Sequence, residues 1–567
     1  MPKLNDRRTI GIWIELNYGE LGSEGIGRLL RFVIEGATKL GYRFIIACPS
    51  WYRQHLEVFI QEFDQQASAQ VTVICARTQP SFFNKFKPAR VKSRSKLKVP
   101  ITLARFVKDL TNWLTAWCSR QTLPVLVLTA ILFAPVLIPL GILFLVYMQL
   151  LAIRQFVRGS QHPWLVRVRK HARGMRAFYK ERLRRILKQL HELSVEQEYA
   201  ALAARASKVT DAIAWYVPNP SWWHCRLINR PVVVAVPDFV IEELPLSFVE
   251  EERPALYKRN IKRSLKAATC SISFRDYVKN KHVVDLFQFP ADRAFVIPHA
   301  PVDLSSYIND LGDYVGDKQR QMAADKIRSY FRKRFEPLVE RYPFQATYLP
   351  SFAFEDARFI IISTRFRGYK NIQRVVEAVN ILVRKRQFNV KVLLTGYFDD
   401  QLEDFVKENC LYYDVIPLYH VPADIHAYLY FLSGLSIHPS FFEGGFPFVF
   451  SESLSLGTPC LLANVQTVTE VIDPSVDGDF LFDPYSATDI ANKIQYAFEH
   501  STQLEQRQQR LLSTMKERSW TDVADEYVTV FERASLIWNS GEFKSLVLED
   551  RQALAEEAVK IHTAAGN

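Results

Sequence analysis

At 567 residues, 48% hydrophobic and 23% charged, the chain is long enough for two or three globular domains and excludes a disordered or fibrous protein. Its seven cysteines are scattered, odd in number and free of any C-x-x-C pair, which argues against a zinc site or disulfide framework and for a reducing compartment. The net charge of +12 is local: residues 83–190 hold 22 Lys or Arg against Asp109 and Glu181, a balance of +20 that leaves −8 elsewhere, so an anionic partner should meet that segment.

Met1 to Arg8 is polar and the first apolar segment is short, so the chain is expected to open on a strand rather than a signal peptide. Strands are predicted at Ile10–Glu15, Arg43–Cys48 and Val71–Cys75, with an amphipathic helix from about Gly27 to Leu40 after the first. The turn into that helix contains Gly25-Ile26-Gly27-Arg28. Backbone N–H groups at Gly25 and Gly27 could face a diphosphate there, although the spacing is not a full G-x-G-x-x-G and a structural turn fits equally.

An insert from about Phe83 to Ser207 interrupts this alternation. Within it, Gln121 to Ile153 is a run of 33 uncharged residues, longer than the roughly 20 helical residues that span a bilayer. Both flanks are basic and both adjoin strands of one sheet, so both should lie on the cytoplasmic side. Pro135, Pro139 and Gly141 near the middle of the run would break and turn a helix, which predicts a re-entrant hairpin. Before it, Leu103, Phe106, Val107, Leu110, Trp113, Leu114 and Trp117 recur at helical spacing opposite Arg105 and Lys108, as expected of a helix lying in the membrane interface. A buried core helix is the plainer reading of the apolar run and nucleic-acid binding that of the charge. The two features side by side favour anionic membrane lipids and no nucleic acid.

Strand signals resume at Ala212–Val217, Val232–Val236, Cys270–Phe274 and Ala294–Ile297. A second alternating set follows at Arg358–Ser363, Val390–Thr395, Val415–Pro417, Leu435–His438 and Cys460–Ala463, and a helix with apolar spacing 523, 527 and 531 lies near the end. Near-continuous apolar strands alternating with helices indicate an α/β chain with two parallel-sheet domains and a cleft between them. The expected division is 1–82 with 206–345 for the first domain, 83–205 for the insert, 346–518 for the second domain, 519–540 for a C-terminal helix and 541–567 for a tail. Arg365 and Lys370 emerge just past a strand's C-terminal end, where open α/β sheets bind ligands, and could neutralise a departing diphosphate.

The most informative stretch is Ser436 to Pro459, SIHPSFFEGGFPFVFSESLSLGTP. Gly444 and Gly445 would let the main chain approach a ligand and offer bare N–H donors. Glu452 is expected near a helix N-terminus, where a carboxylate is favourable and can accept hydroxyl hydrogen bonds from a sugar or ribose. Asp477-Gly478-Asp479 has the form of a metal-binding D-x-D but is read as a turn, and no His/Cys/Asp group has convincing metal spacing.

The acidic stretch, the Gly25–Gly27 turn and the Arg365/Lys370 pair together resemble retaining glycosyltransferases of family 4. That resemblance implies the GT-B fold, two Rossmann-like domains around a cleft, and a nucleotide-sugar donor with no obligatory cofactor or metal. It places the diphosphate at Arg365, Lys370, Gly25 and Gly27, the ribose on Glu452, and the donor sugar at the Glu443-Gly444-Gly445-Phe446 turn. Glu443 and Asp238 are the implied catalytic positions. Two departures stand out: Glu443 and Glu452 are separated by eight residues where seven is usual, and Pro237 occupies a position where many relatives have histidine, with His224 and His299 as candidate substitutes. The resemblance leans toward GDP-mannose as donor and, with the insert, toward a glycan or lipid-linked acceptor on the cytoplasmic face of a membrane. A catalytically inactive scaffold of the same fold is the alternative.

Overall fold

The computed structural model describes residues 9–16, 21–23, 25–78, 187–248, 253–312, 314–333, 347–364, 366–396, 398–418 and 421–541. The predicted apolar run 121–153, the interfacial helix before it, Arg365 and the tail beyond 541 lie outside them.

Two parallel sheets form the scaffold. The first contains β1 (Thr9–Trp13), β2 (Arg43–Ala47), β3 (Val71–Ile74), β4 (Ala212–Val217), β5 (Val232–Ala235), β6 (Cys270–Ser273) and β7 (Ala294–Val296), in the spatial order β3-β2-β1-β4-β5-β6-β7. The second contains β8 (Phe359–Ile362), β9 (Lys391–Leu394), β10 (Val415–Pro417), β11 (Leu435–His438), β12 (Cys460–Ala463) and β13 (Leu481–Phe482), in the order β10-β9-β8-β11-β12-β13. Every recorded pairing is parallel, for example Gly11↔Ile45 and Ser436↔Cys460. β1, β5, β8, β11 and β12 are buried along their whole length, which is why they read as unbroken apolar runs in the sequence.

Both orders reverse direction once, between β1 and β4 in the first sheet and between β8 and β11 in the second. In an open parallel sheet the loops leaving the strands' C-terminal ends diverge at such a reversal and open a crevice there. The loops after β1, β8 and β11 are therefore the ones the topology dedicates to a ligand.

Helix α1 (Gly25–Lys39) starts two residues earlier than its apolar periodicity predicts and packs Leu29, Leu30, Val33 and Ile34 into the first core. Helix α2 (Ile372–Asn380) follows β8, and helix α3 (Phe448–Leu454) follows β11. The final helix α4 (Trp520–Asn539) opens with a reciprocal cap between Ser519 and Asp522. It crosses back to the first domain, where Val523, Tyr527, Phe531 and Ala534 enter the first core and Tyr527 meets Tyr216 edge-on at 5.5 Å. The described end of the predicted insert, residues 187–207, is helical and also places Tyr199, Leu202, Ala203 and Ala206 in that core. No described helix is long and apolar enough to cross a membrane.

Candidate active site

The loops from the two reversals face each other across a cavity of about 410 Å³. Its lining includes Gly25, Arg28, Pro237, Asp238 and His299 from the first domain, and Lys370, His438, Glu443, Gly444, Gly445, Phe446 and Glu452 from the second. All the predicted site residues within the described chain lie here except Gly27.

Lys370 ends a short 3-10 turn after β8. The next residue, Asn371, adopts a left-handed conformation (φ 56°) that asparagine tolerates. Its side-chain amide donates to the Pro439 and Pro484 carbonyls at 3.0 and 2.8 Å, tying the β8 loop to the loops after β11 and β13. Phe441 N–H donates to the Tyr369 carbonyl at 2.9 Å in the same seam. The effect is to hold Lys370 over Glu443: Nζ lies 2.5 Å from Glu443 Oε1, and His438 Nε2 lies 2.9 Å from the same oxygen. Burial pushes the Glu443 carboxyl up, but Lys370 and His438 outweigh it and hold the group well below the usual carboxylate range. Lys370 is raised in turn: burial lowers it and the Glu443 carboxylate more than compensates. The extra residue between Glu443 and Glu452 thus leaves Glu443 in the cavity, bound to a predicted phosphate ligand.

Asp238 follows β5 and faces Glu443 from the first domain. Burial, then the Glu443 charge, raises its carboxyl above the ordinary range, with Lys370 opposing. The surroundings thus shift the two carboxyls in opposite directions, Asp238 upward and Glu443 downward.

Two sequence expectations are corrected, and a third residue, Gly444, has a structural demand that the sequence did not show. Glu452 does not sit at a helix N-terminus, because α3 begins at Phe448 and places Glu452 a full turn inside. The helix dipole falls off within the first turn. Its charge is met instead by Arg28 of the first domain, with Nη2 2.5 Å from Oε1 and the carboxylate only 2% exposed. Gly27 does not face the cavity: it is buried, and a Cβ there would overlap the Leu21 carbonyl oxygen, so its lack of a side chain serves the local turn. Gly25 keeps an open outlook on the cavity. Gly444 is pressed against the other domain, where a Cβ would overlap the Pro237 carbonyl oxygen. Its glycine is required by the approach of the two domains, and it also lines the cavity.

The two candidate histidines separate cleanly. His299 lines the cavity beside Gly445, packed against Phe274 at 4.1 Å and Phe448 at 5.0 Å. Burial, then Arg275 and Arg518, lowers it to about 3, so it is neutral at physiological pH. His224 is outside the cavity, stacked between Tyr199 and Trp223 and bonded to Glu15 at 2.5 Å and Glu196 at 3.1 Å. Burial lowers it, but the two carboxylates together raise it to about 9. A folded-state value above the ordinary 6.5 means stability fully present below about pH 6.5 and lost as pH rises through 9, worth up to about 3 kcal/mol. Urea unfolding should therefore find His224→Gln much less stable than wild type at pH 6.5, with the gap shrinking by pH 10. A gap independent of pH would show that the His224 charge contributes nothing.

Arg28, His438 and Tyr430 are site residues that the sequence reading left without a role. Arg28 stands beside Gly27 in the glycine turn, the one local signal that could have drawn attention to it. Asp477 and Asp479 both pair with Arg507, at 2.7 and 2.8 Å, as expected of a structural turn. No group of three or more His, Cys, Asp or Glu among the described residues is arranged to hold a metal ion.

Comparison with known proteins agrees with this geometry. Residues 347–511 match the family model "Glycosyl transferases group 1". Over 286 residues the chain is 22% identical to O-antigen chain mannosyltransferase B of Escherichia coli, covering 50% of this chain and 65% of that protein. The structure of Anabaena Alr3699/HepE in complex with UDP and glucose superposes with a TM-score of 0.51 at 13% identity, over 94% of this chain and all of that one. The N-terminal domain of Candida albicans trehalose-6-phosphate phosphatase gives 0.50 at 10% identity, over 94% and 98%. The two-domain architecture is the GT-B fold.

Proposed function

We propose that this chain, whose residues 347–511 form a glycosyl transferases group 1 domain, transfers a sugar from a nucleotide-sugar donor to a glycan acceptor. The observation that carries the reading is the convergence of Lys370, Glu443 and Glu452 on one cavity at the reversal point of the second sheet. In this reading Lys370, with backbone amides near Gly25, meets the donor's diphosphate and offsets the charge that develops as it leaves. No metal is then obligatory. Glu452 takes the ribose hydroxyls, and the Glu443–Phe446 turn, with Glu443 fixed as an anion, orients the donor sugar.

In this reading no side chain among the described residues acts as a dedicated nucleophile. Transfer then proceeds on one face of the sugar with retention: the bond from the anomeric carbon to the phosphate oxygen breaks as the acceptor oxygen bonds to that carbon. The acceptor's proton passes to the departing phosphate, with Asp238 available on the acceptor side. Similarity to an O-antigen chain mannosyltransferase supports mannose as the sugar and a surface glycan as acceptor; GDP as the nucleotide and a lipid-linked precursor as acceptor rest on the family resemblance and the insert. The basic segment 83–190 and the apolar run 121–153 support a site held on the cytoplasmic face of a membrane by anionic lipids. The experiment is transfer by the full chain in native membranes from a panel of radiolabelled nucleotide sugars. Labelled glycan from GDP-mannose alone would bear out the whole reading, another donor would correct the sugar, and no transfer from any donor would overturn it.

A further inference from the structure

Arg28 holds a place that the donor also needs. Its guanidinium crosses the cleft from the first turn of α1 and is gripped by two residues of α3. Nη2 is 2.5 Å from Glu452 Oε1, and the guanidinium carbon lies 5.5 Å from the centre of the Phe448 ring. The other carboxylate oxygen, Oε2, is approached by the Tyr430 hydroxyl at 3.4 Å. Glu452 is 2% exposed and Arg28 38%, so the buried anion belongs to the second domain and its cation reaches in from solvent. Moving the cation away strands the buried Glu452 charge unless other donors take its place, so the pair opens only in exchange for a ligand that supplies them. A vicinal diol that binds Glu452 with one hydroxyl on each carboxylate oxygen would share Oε1 with Arg28 and approach it from the cleft side that the guanidinium now covers.

We propose that Arg28 is a latch between the domains that competes with the donor's vicinal diol for Glu452, and that on displacement its charge becomes available to the diphosphate. The inference rests on the nucleotide-sugar reading of the cleft. It adds a role for the first domain in choosing when the cleft opens. Binding of a diol then includes the cost of releasing the latch, and apparent affinity falls by the fraction of molecules still latched. A nucleoside diphosphate recovers part of that cost through its phosphates, whereas a plain nucleoside recovers none.

The test uses the full chain and two readouts. Calorimetry compares guanosine, uridine, their 2′,3′-dideoxy analogues, GDP and UDP on wild type and Arg28→Gln. For the nucleoside that wild type prefers, Arg28→Gln should bind about ten-fold more tightly, with no gain for its dideoxy analogue and a smaller gain or a loss for the diphosphate. Unchanged or weaker nucleoside binding in Arg28→Gln would overturn the competition.

Spin labels on exposed Cys410 and on Val58→Cys, in a Cys118→Ser background, report the distance between domains by pulsed EPR. Arg28→Gln and Glu452→Gln should each lengthen or broaden that distance, and the double variant should add nothing further. Unaltered distances in both single variants would overturn the latch. If no nucleoside or nucleotide binds any variant, the nucleotide-sugar reading fails, and the distances alone decide whether Arg28 ties the domains. If nucleotides bind but neither readout responds to Arg28→Gln, the latch fails and the reading of the cleft stands.

Discussion

Lys370→Ala is expected to lower sugar transfer by about 10²- to 10³-fold, the usual cost of removing one fixed charge from a site that stabilises a leaving group. The loss should fall mainly on kcat, because the phosphate gains charge as it departs and the cation matters most at that point. The same substitution removes the ammonium 2.5 Å from Glu443 and leaves that carboxylate with His438 at 2.9 Å, which destabilises the fold by about 3 kcal/mol or more. These effects can be separated. In the double variant Lys370→Ala, Glu443→Gln, the buried charge is gone and urea stability should largely return, while transfer stays as low as in the single variant. Recovery of transfer together with stability would mean that Lys370 serves only to neutralise Glu443.

Gly444→Val should abolish at least about 99% of transfer while leaving both sheets folded. A side chain at 444 overlaps the Pro237 carbonyl and lies against Asp238, so the domains must part to make room. A shift of about 1 Å between groups that act together costs on the order of 10²-fold in rate. Because the obstruction lies between domains and not inside a core, circular dichroism should be close to wild type. X-ray scattering should show a larger radius of gyration, and activity at normal dimensions would contradict the account of this contact.

Much of this was legible in the sequence because parallel strands covered on both faces must be apolar along their length. β4, β10, β11 and β12 have the predicted bounds, and the other predicted strands agree to within one residue at each end, except β1, which ends at Trp13, two residues before the predicted Glu15. β13 escaped notice because Leu481–Phe482 is too short to form a run. The face of the last helix was readable from 523, 527 and 531, but its partner was not: apolar spacing states that a face is buried and says nothing about which domain covers it. The Arg28–Glu452 pair spans 424 positions and crosses a cleft, so no local pattern records it. Gly444 illustrates a different limit. Its glycine reads equally well as room for a ligand or room for a neighbouring backbone, and the need for the second is visible only in the position of the Pro237 carbonyl.

A crystal structure of the full chain with bound GDP-mannose or UDP-glucose tests the central claim most directly. The account predicts the diphosphate within hydrogen-bond reach of Lys370 Nζ, the ribose hydroxyls on Glu452 with Arg28 turned away from it, and the sugar against the Glu443–Phe446 turn. A nucleotide bound elsewhere on the chain, or one whose phosphates avoid Lys370 while Arg28 remains on Glu452, would contradict it.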